Sequence, residues 1–115
     1  MIHPYTFIGL GKKPHKRKII SSTVENICGI IAESSGIDKD QITERTRKRE
    51  YVLARQMLHA ILRKHYVASL TSIGRLVKRD HSTIIHSLEM HECDYSTDKL
   101  YKKVFDYVEQ THLFW

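Results

Sequence analysis

At 115 residues, with 41% hydrophobic content and a formal charge of +6, the chain suits one domain whose core needs neither disulfide nor metal, and wholesale disorder is excluded. Residues 1–88 hold 16 Lys/Arg against 7 Asp/Glu (+9), while residues 89–115 hold 3 against 6 (−3), so the first part suits a polyanionic partner and the last does not. No apolar run nears the roughly 18 residues of a membrane span, the N-terminus lacks signal-peptide order, and two cysteines without C-x-x-C, Cys28 and Cys93, fit a reducing cytoplasm.

Residues 1–20 read as a basic arm. Pro4, Gly9, Gly11 and Pro14 interrupt regular structure, and Lys12, Lys13, Lys16, Arg17 and Lys18 place five cations in seven residues. Such a run is either a solvated tail or an arm for phosphates or a minor groove. Tyr5, Phe7, Ile8 and Leu10 can dock on the core, and residues 5–10 carry the one hint of strand alternation. A helix is predicted from Ser22, with Glu25 completing a capping box and Val24, Ile27, Cys28 and Ile31 sharing a face. Gly36 suits its stop. Ile37 to Glu44 is a linker with one short turn, in which Ile37 and Ile42 plug the core.

The next helix is predicted from Arg47 to His65, on a stripe of Tyr51, Ala54, Leu58, Ile61 and Leu62. Arg47, Arg49, Arg55, Arg63 and Lys64 lie along it. A helix-turn-helix follows. Ser69 is its N-cap, Leu70, Ile73, Leu76 and Val77 pack inward, and Gly74 permits a close helix approach. Asp80 caps the second helix, which continues to about Cys93 on Ile84, Ile85 and Leu88. Ser96 or Thr97 caps a last helix whose stripe is Leu100, Val104, Tyr107 and Val108, joined by Tyr101, and which ends near His112. Leu113, Phe114 and Trp115 crowd the end. The expected architecture is all-α, a helical bundle with a helix-turn-helix. The divisions are a basic arm (1–20), a helix-turn-helix domain (21–95) and a C-terminal helix packed on it (96–115).

The chemistry concentrates at Asp80-His81-Ser82-Thr83. In a helix-turn-helix only the first turn of the second helix reaches deep into the major groove. Asp80 can accept from a cytosine amino group, His81 can donate or accept at a base edge, and Ser82 and Thr83 are short enough for the groove floor or a phosphate. Backbone N–H groups at the helix end also favour a phosphate. Taken alone, these four residues also make a plain N-cap.

Residues 24–93 resemble the C-terminal DNA-binding domain of the bacterial replication initiator DnaA. The resemblance rests on Arg79-Asp80-His81-Ser82-Thr83-Ile84-Ile85-His86, close to the family's R-D-H-[ST]-T-[VI]-[LI]-H, on Ala54-Arg55-Gln56-Met57, and on Ser69-Leu70 with Ile73-Gly74. It implies a domain IV, Trp-repressor-like helical fold and double-stranded DNA as partner, at short, asymmetric, A·T-rich boxes. It further implies that Arg55 enters the major groove to pair a guanine or lie against adjacent bases. Arg47, in a basic approach that includes Arg49, would reach the minor groove. Asp80, His81 and Ser82 would read bases. Thr83, Arg79, Arg63 and Gln56 would hold phosphates, and Ser69 and Leu70 would set the first helix of the motif across the backbone. Two departures stand out. Val77-Lys78 replaces the family's Phe-Gly-Gly and is one residue shorter, giving a tighter turn or a longer first helix. Ser82 stands where Thr is common and lacks its methyl.

Other chemistries find little support. Gly9-Leu10-Gly11-Lys12-Lys13 lacks the G-x-x-x-x-G-K-[ST] spacing, so no ATPase or other enzymatic activity is expected. Among eight histidines the best metal cluster, His86, His91 and Cys93, does not share one helix face, and no metal or cofactor is expected. Asp80-His81-Ser82 cannot converge as a triad on one helical turn. Replication initiation or its regulation by a monomer in the cytoplasm, at the nucleoid, is the expected setting. The rival reading is an adaptor that docks a partner through Phe105, Tyr107, Leu113, Phe114 and Trp115.

Overall fold

A computed structural model describes residues 16–114. These form five α-helices: α1 (Thr23–Ser35), α2 (Arg49–His65), α3 (Leu70–Val77), α4 (His81–Thr97) and α5 (Lys99–Leu113), with a 3₁₀ turn at Lys39–Gln41. The expected all-α bundle with a helix-turn-helix is the observed one. The expectations placed on Tyr5, Phe7, Ile8, Leu10, Lys12, Lys13 and Trp115 lie outside the described residues.

Helix α2 is the axis of the bundle. Every residue from Gln56 to Leu62 is buried, as a helix wrapped on several sides requires. Helices α1, α3 and α4 pack around it, and α5 returns across α1 and α4. Ile31, Ile42, Leu58, Ile61, Ile84 and Val108 are fully buried where these elements meet. No helix among the described residues is long and apolar enough to cross a membrane.

The helix ends show where local rules held and where they lost. Gly36 adopts φ 72° and returns its N–H to the Ala32 carbonyl at 2.8 Å, ending α1 as expected. The expected capping box at Ser22 is absent: its side chain makes no cap bond. The Thr23 hydroxyl accepts the Ile20 N–H instead, and Glu25 pairs with Lys39 at 3.0 Å. The basic arm is not wholly a tail. Arg17 exchanges backbone hydrogen bonds with His65 (3.0 Å) and Val67 (2.8 Å), and its guanidinium donates to the Leu113 carbonyl.

At the other end, α4 runs to Thr97. Ser96 and Thr97 do not cap α5; both hydroxyls donate back to the Cys93 carbonyl. The Asp98 carboxylate takes the cap, accepting from the Leu100 and Tyr101 N–H groups at 3.0 and 3.1 Å, since a charged acceptor there also faces the positive helix end. The inward stripe is therefore Tyr101, Phe105, Val108 and His112. Leu100 and Tyr107 are 70% and 58% exposed, against expectation. Aromatic packing fixes this phase: the His91 ring lies 4.5 Å from that of Phe105, and Tyr95 meets Phe105 edge-on. Phe105 is thus core and unavailable to a docking partner. Leu76, also expected inside, is exposed.

Three histidines are built into the interior. His59 Nδ1 bonds Ser87 Oγ at 2.8 Å, His91 Nδ1 bonds the Tyr101 hydroxyl at 2.6 Å, and His112 Nε2 bonds the Tyr66 hydroxyl. Burial holds His59 down to about 3 and His112 to about 4, with nearby cations adding to it, so both are neutral imidazoles at neutral pH. His86 and Cys93 are exposed while His91 is buried, so these three do not share an environment.

Candidate nucleic-acid interface

The helix-turn-helix is α3, a tight turn and α4. Ser69 caps α3, its Oγ accepting the Ser72 N–H at 3.1 Å. The helix does not run on past Val77; of the two alternatives the tighter turn is found. Lys78 takes the left-handed conformation at φ 57°, and the Arg79 N–H reaches the Gly74 carbonyl at 2.8 Å, a Schellman-type closure. A Cβ on Gly74 would stand 2.5 Å from the Arg79 carbonyl oxygen. Gly74 is therefore required by the returning turn, not by a neighbouring helix.

The turn delivers Asp80 in an extended conformation (φ −68°, ψ 151°) at the N-cap of α4. Its carboxylate makes no cap bond, which corrects the expected capping role and leaves an outward acceptor. Asp80, His81, Ser82 and Thr83 are all exposed, while Ile84 and Ser87 turn inward. The first-turn N–H groups have no preceding helical carbonyl to bond. Four polar side chains and a positive helix end thus project together.

Beside this tip lies a cleft of about 390 Å³ lined by Arg49, Val52, Arg55, Arg79, Thr83 and His86, among others. Arg55 is half-buried on its wall and donates to the carbonyls of Ile42 (3.2 Å), Glu44 (2.9 Å) and Thr46. Burial, and then the nearby Arg79 charge, lower its pKa. Arg79 donates to the carbonyls of Val77, Lys78, Thr43 and Glu44. The structure therefore brings Arg55 and Arg79 together behind the tip, with their donors directed at one loop.

The other expected residues fall into two groups. Arg47, Arg49 and Arg63 are exposed, and Arg63 also donates to the Ala68 carbonyl at 2.9 Å. Leu70 is half-buried against the core. Gln56 is a correction to the expected phosphate set: it is 3% exposed and its amide donates to Asp94 at 3.0 Å, so it braces α2 against α4. Arg45 and Lys48, which no expectation named, are exposed on the same approach to α2. The alternating run Arg45-Thr46-Arg47-Lys48-Arg49 was the signal that could have found them.

Residues 24–90 match the family model described as the bacterial dnaA protein helix-turn-helix. The chain belongs to this family. Among its relatives, the chromosomal replication initiator protein DnaA of Kosmotoga olearia is 33% identical over 81 residues, covering 70% of this chain and 17% of that protein. DnaA of Oleidesulfovibrio alaskensis is 39% identical over 71 residues, covering 60% and 14%. The chain thus spans less than a fifth of the length of these DnaA relatives. A crystal structure of a DNA replication initiation factor superposes with a TM-score of 0.67 at 25% identity, over 79% of this chain and 28% of that one. The helix-turn-helix described above, Ser69 cap, Gly74 turn and Asp80–Thr83 tip included, lies within the DnaA match.

Proposed function

We propose that this chain binds double-stranded DNA sequence-specifically, at DnaA-box-like sites, and acts in replication initiation or its regulation. The observation that carries this reading is the Asp80–Thr83 tip, exposed on all four residues at the N-terminus of α4. The DnaA relatives supply the replication setting. In the mechanism, α4 enters the major groove by its first turn. Asp80, His81 and Ser82 read base edges and Thr83 holds a phosphate. Arg55 reaches the same stretch from the cleft wall, giving up its loop carbonyls. Arg47 meets the narrow minor groove of A·T-rich sequence, whose negative potential attracts a guanidinium. Arg49 and Arg63 add charge along the backbone, and Ser69 and Leu70 set α3 across it.

The reading includes no enzymatic step. Binding by these residues needs no ATP, and the protein marks or occupies a site as a monomer in the bacterial cytoplasm, at the nucleoid. The test is selection of duplexes from a random pool at stated salt, with and without ATP. A short, asymmetric, A·T-rich box is expected in both arms. Equal retention of every duplex, or of none, overturns the reading.

A protein-docking role is favoured by one feature, the outward Tyr107 and Phe114, 58% and 89% exposed. If docking is the function, Tyr107→Ala abolishes partner capture and leaves duplex selection unchanged. If DNA binding is the function, the duplex pool decides the matter without a partner.

A further inference from the structure

Arg79 opens the motif Arg79-Asp80-His81 and stands next to the proposed base readers, where a phosphate contact is the natural expectation for an arginine. Its guanidinium points elsewhere. One nitrogen, Nη1, donates to Val77 and Lys78 at 3.2 and 3.0 Å. The other, Nη2, donates to Thr43 and Glu44 at 3.3 and 2.6 Å. The first two carbonyls belong to the turn that aims α4. The last two belong to the loop that leads, one and three residues later, into Arg45 and Arg47. One planar group thus joins the two parts of the chain that would approach adjacent grooves.

Arg55 grips the same loop, and Glu44 carries both guanidiniums on its carbonyl oxygen. The two grips differ in what DNA would do to them. Arg55 lines the open cleft and is the residue proposed to leave for a base. When it leaves, the Ile42, Glu44 and Thr46 carbonyls lose its donors. Those bonds tie the loop to α2, whereas the Arg79 bonds tie it to the turn and do not depend on Arg55 staying in place. The close approach of Gly74 to the Arg79 carbonyl, 2.5 Å from a Cβ position, fixes the backbone from which this side chain sets out.

We propose that Arg79 is a positioning residue, a staple that holds the Thr43–Glu44 loop against the α3–α4 turn and so sets the spacing between the Arg45/Arg47 contacts and the recognition tip. This deepens the DNA-binding reading and rests on it. Groove contacts tolerate little play, because two elements reading neighbouring grooves must keep a fixed separation to engage together. A lysine cannot do this work. It retains the charge a phosphate needs but replaces a flat fork with a single point of donors.

The experiment uses the full chain with Arg79→Lys and Arg79→Ala. Without DNA, ¹⁵N relaxation of Thr43 to Arg47 is expected to show rigid order parameters near 0.85 in the parent, falling below about 0.6 in both variants, with α2 and α4 unchanged. With DNA, both variants are expected to lose about ten-fold in affinity. Base preference should relax at positions flanking those read by His81, while the His81 positions keep theirs. In the parent chain, the Arg79 Nη protons should remain slow to exchange in the free and DNA-bound states, a measurement that needs no variant to fold. A phosphate contact gives the opposite pattern: an ordered loop in both variants, full affinity in Arg79→Lys, and a log K against log salt slope shallower by about 0.9 in Arg79→Ala. That pattern, or Arg79 Nη signals that shift onto phosphate on binding, overturns the staple. If the parent binds no duplex, the DNA-binding reading fails, whereas the relaxation result without DNA still reports whether the loop is stapled.

Discussion

Helix α4 has two ends of opposite character. At its start, Asp80, His81, Ser82 and Thr83 are exposed and Asp80 makes no cap bond. At its finish, His91 bonds Tyr101, Asp94 accepts from Gln56, Tyr95 donates to Asp106 at 2.7 Å, and Phe105 fills the space between the rings. The closed end holds the bundle together; the open end has polar groups to spare. Polar atoms left outward by a well-satisfied scaffold are where recognition is expected, because binding then breaks few internal bonds. Arg55 and Arg79 sit between these extremes, charged but directed at loop carbonyls, which is why placement near the tip does not by itself make an arginine a DNA contact.

Substitutions should separate the two ends. The largest effect is expected at the closed one. Phe105→Ala should lower unfolding free energy by about 3–5 kcal/mol in urea titrations, while the molecules that remain folded keep their duplex preference. A changed preference would mean that the two ends are coupled. Next, Gly74→Ala forces a Cβ against the Arg79 carbonyl and should destabilise by about 1–3 kcal/mol; because it moves the turn itself, it should also impair selection of the preferred duplex. At the open end, His81→Ala should cost about 1–3 kcal/mol of binding to the best site and relax base preference there, with urea stability unchanged. Unaltered binding to every duplex would remove His81 from the readers. The smallest effect belongs to Arg63→Ala, which should weaken all sequences alike and flatten the salt slope by about 0.9.

Acid should act on the scaffold. His59 and His112 are held neutral below the ordinary histidine value of 6.5, at about 3 and about 4. The unfolded chain therefore takes up protons first, and their contribution is full above pH 6.5 and lost as pH falls toward those values. At Glu109 burial acts to raise the pKa, but hydrogen bonds and charge from His65 and Lys64 outweigh it and hold the carboxyl at about 2. Its contribution is full above about 4.5 and lost below. Stability should thus decline with falling pH from 6.5, most steeply between about 4.5 and 4, where both histidines and Glu109 act together, and less steeply below. His59→Gln should flatten the branch between 6.5 and 4; an unchanged slope there would show that His59 does not carry it.

Much of the arrangement was legible in the residues themselves. The 3.6-residue spacing around Leu58, Ile61 and Leu62, the Ser69 cap, Gly36 at the end of α1, and the run from Arg79 to His86 were enough for an all-α helix-turn-helix with its polar tip outward. These are local signals: a cap bonds three residues away, and an apolar stripe repeats within one helix. Tertiary structure decided what depends on distant partners. It chose Asp98 over Ser96 or Thr97, turned Leu100 and Tyr107 out and Phe105 in, took Gln56 to Asp94 across 38 residues of sequence, and directed the donors of Arg79 to carbonyls 35 and 36 residues away. Spacing along a chain shows which face a side chain occupies, but not which distant carbonyl or carboxylate the fold will bring to meet it.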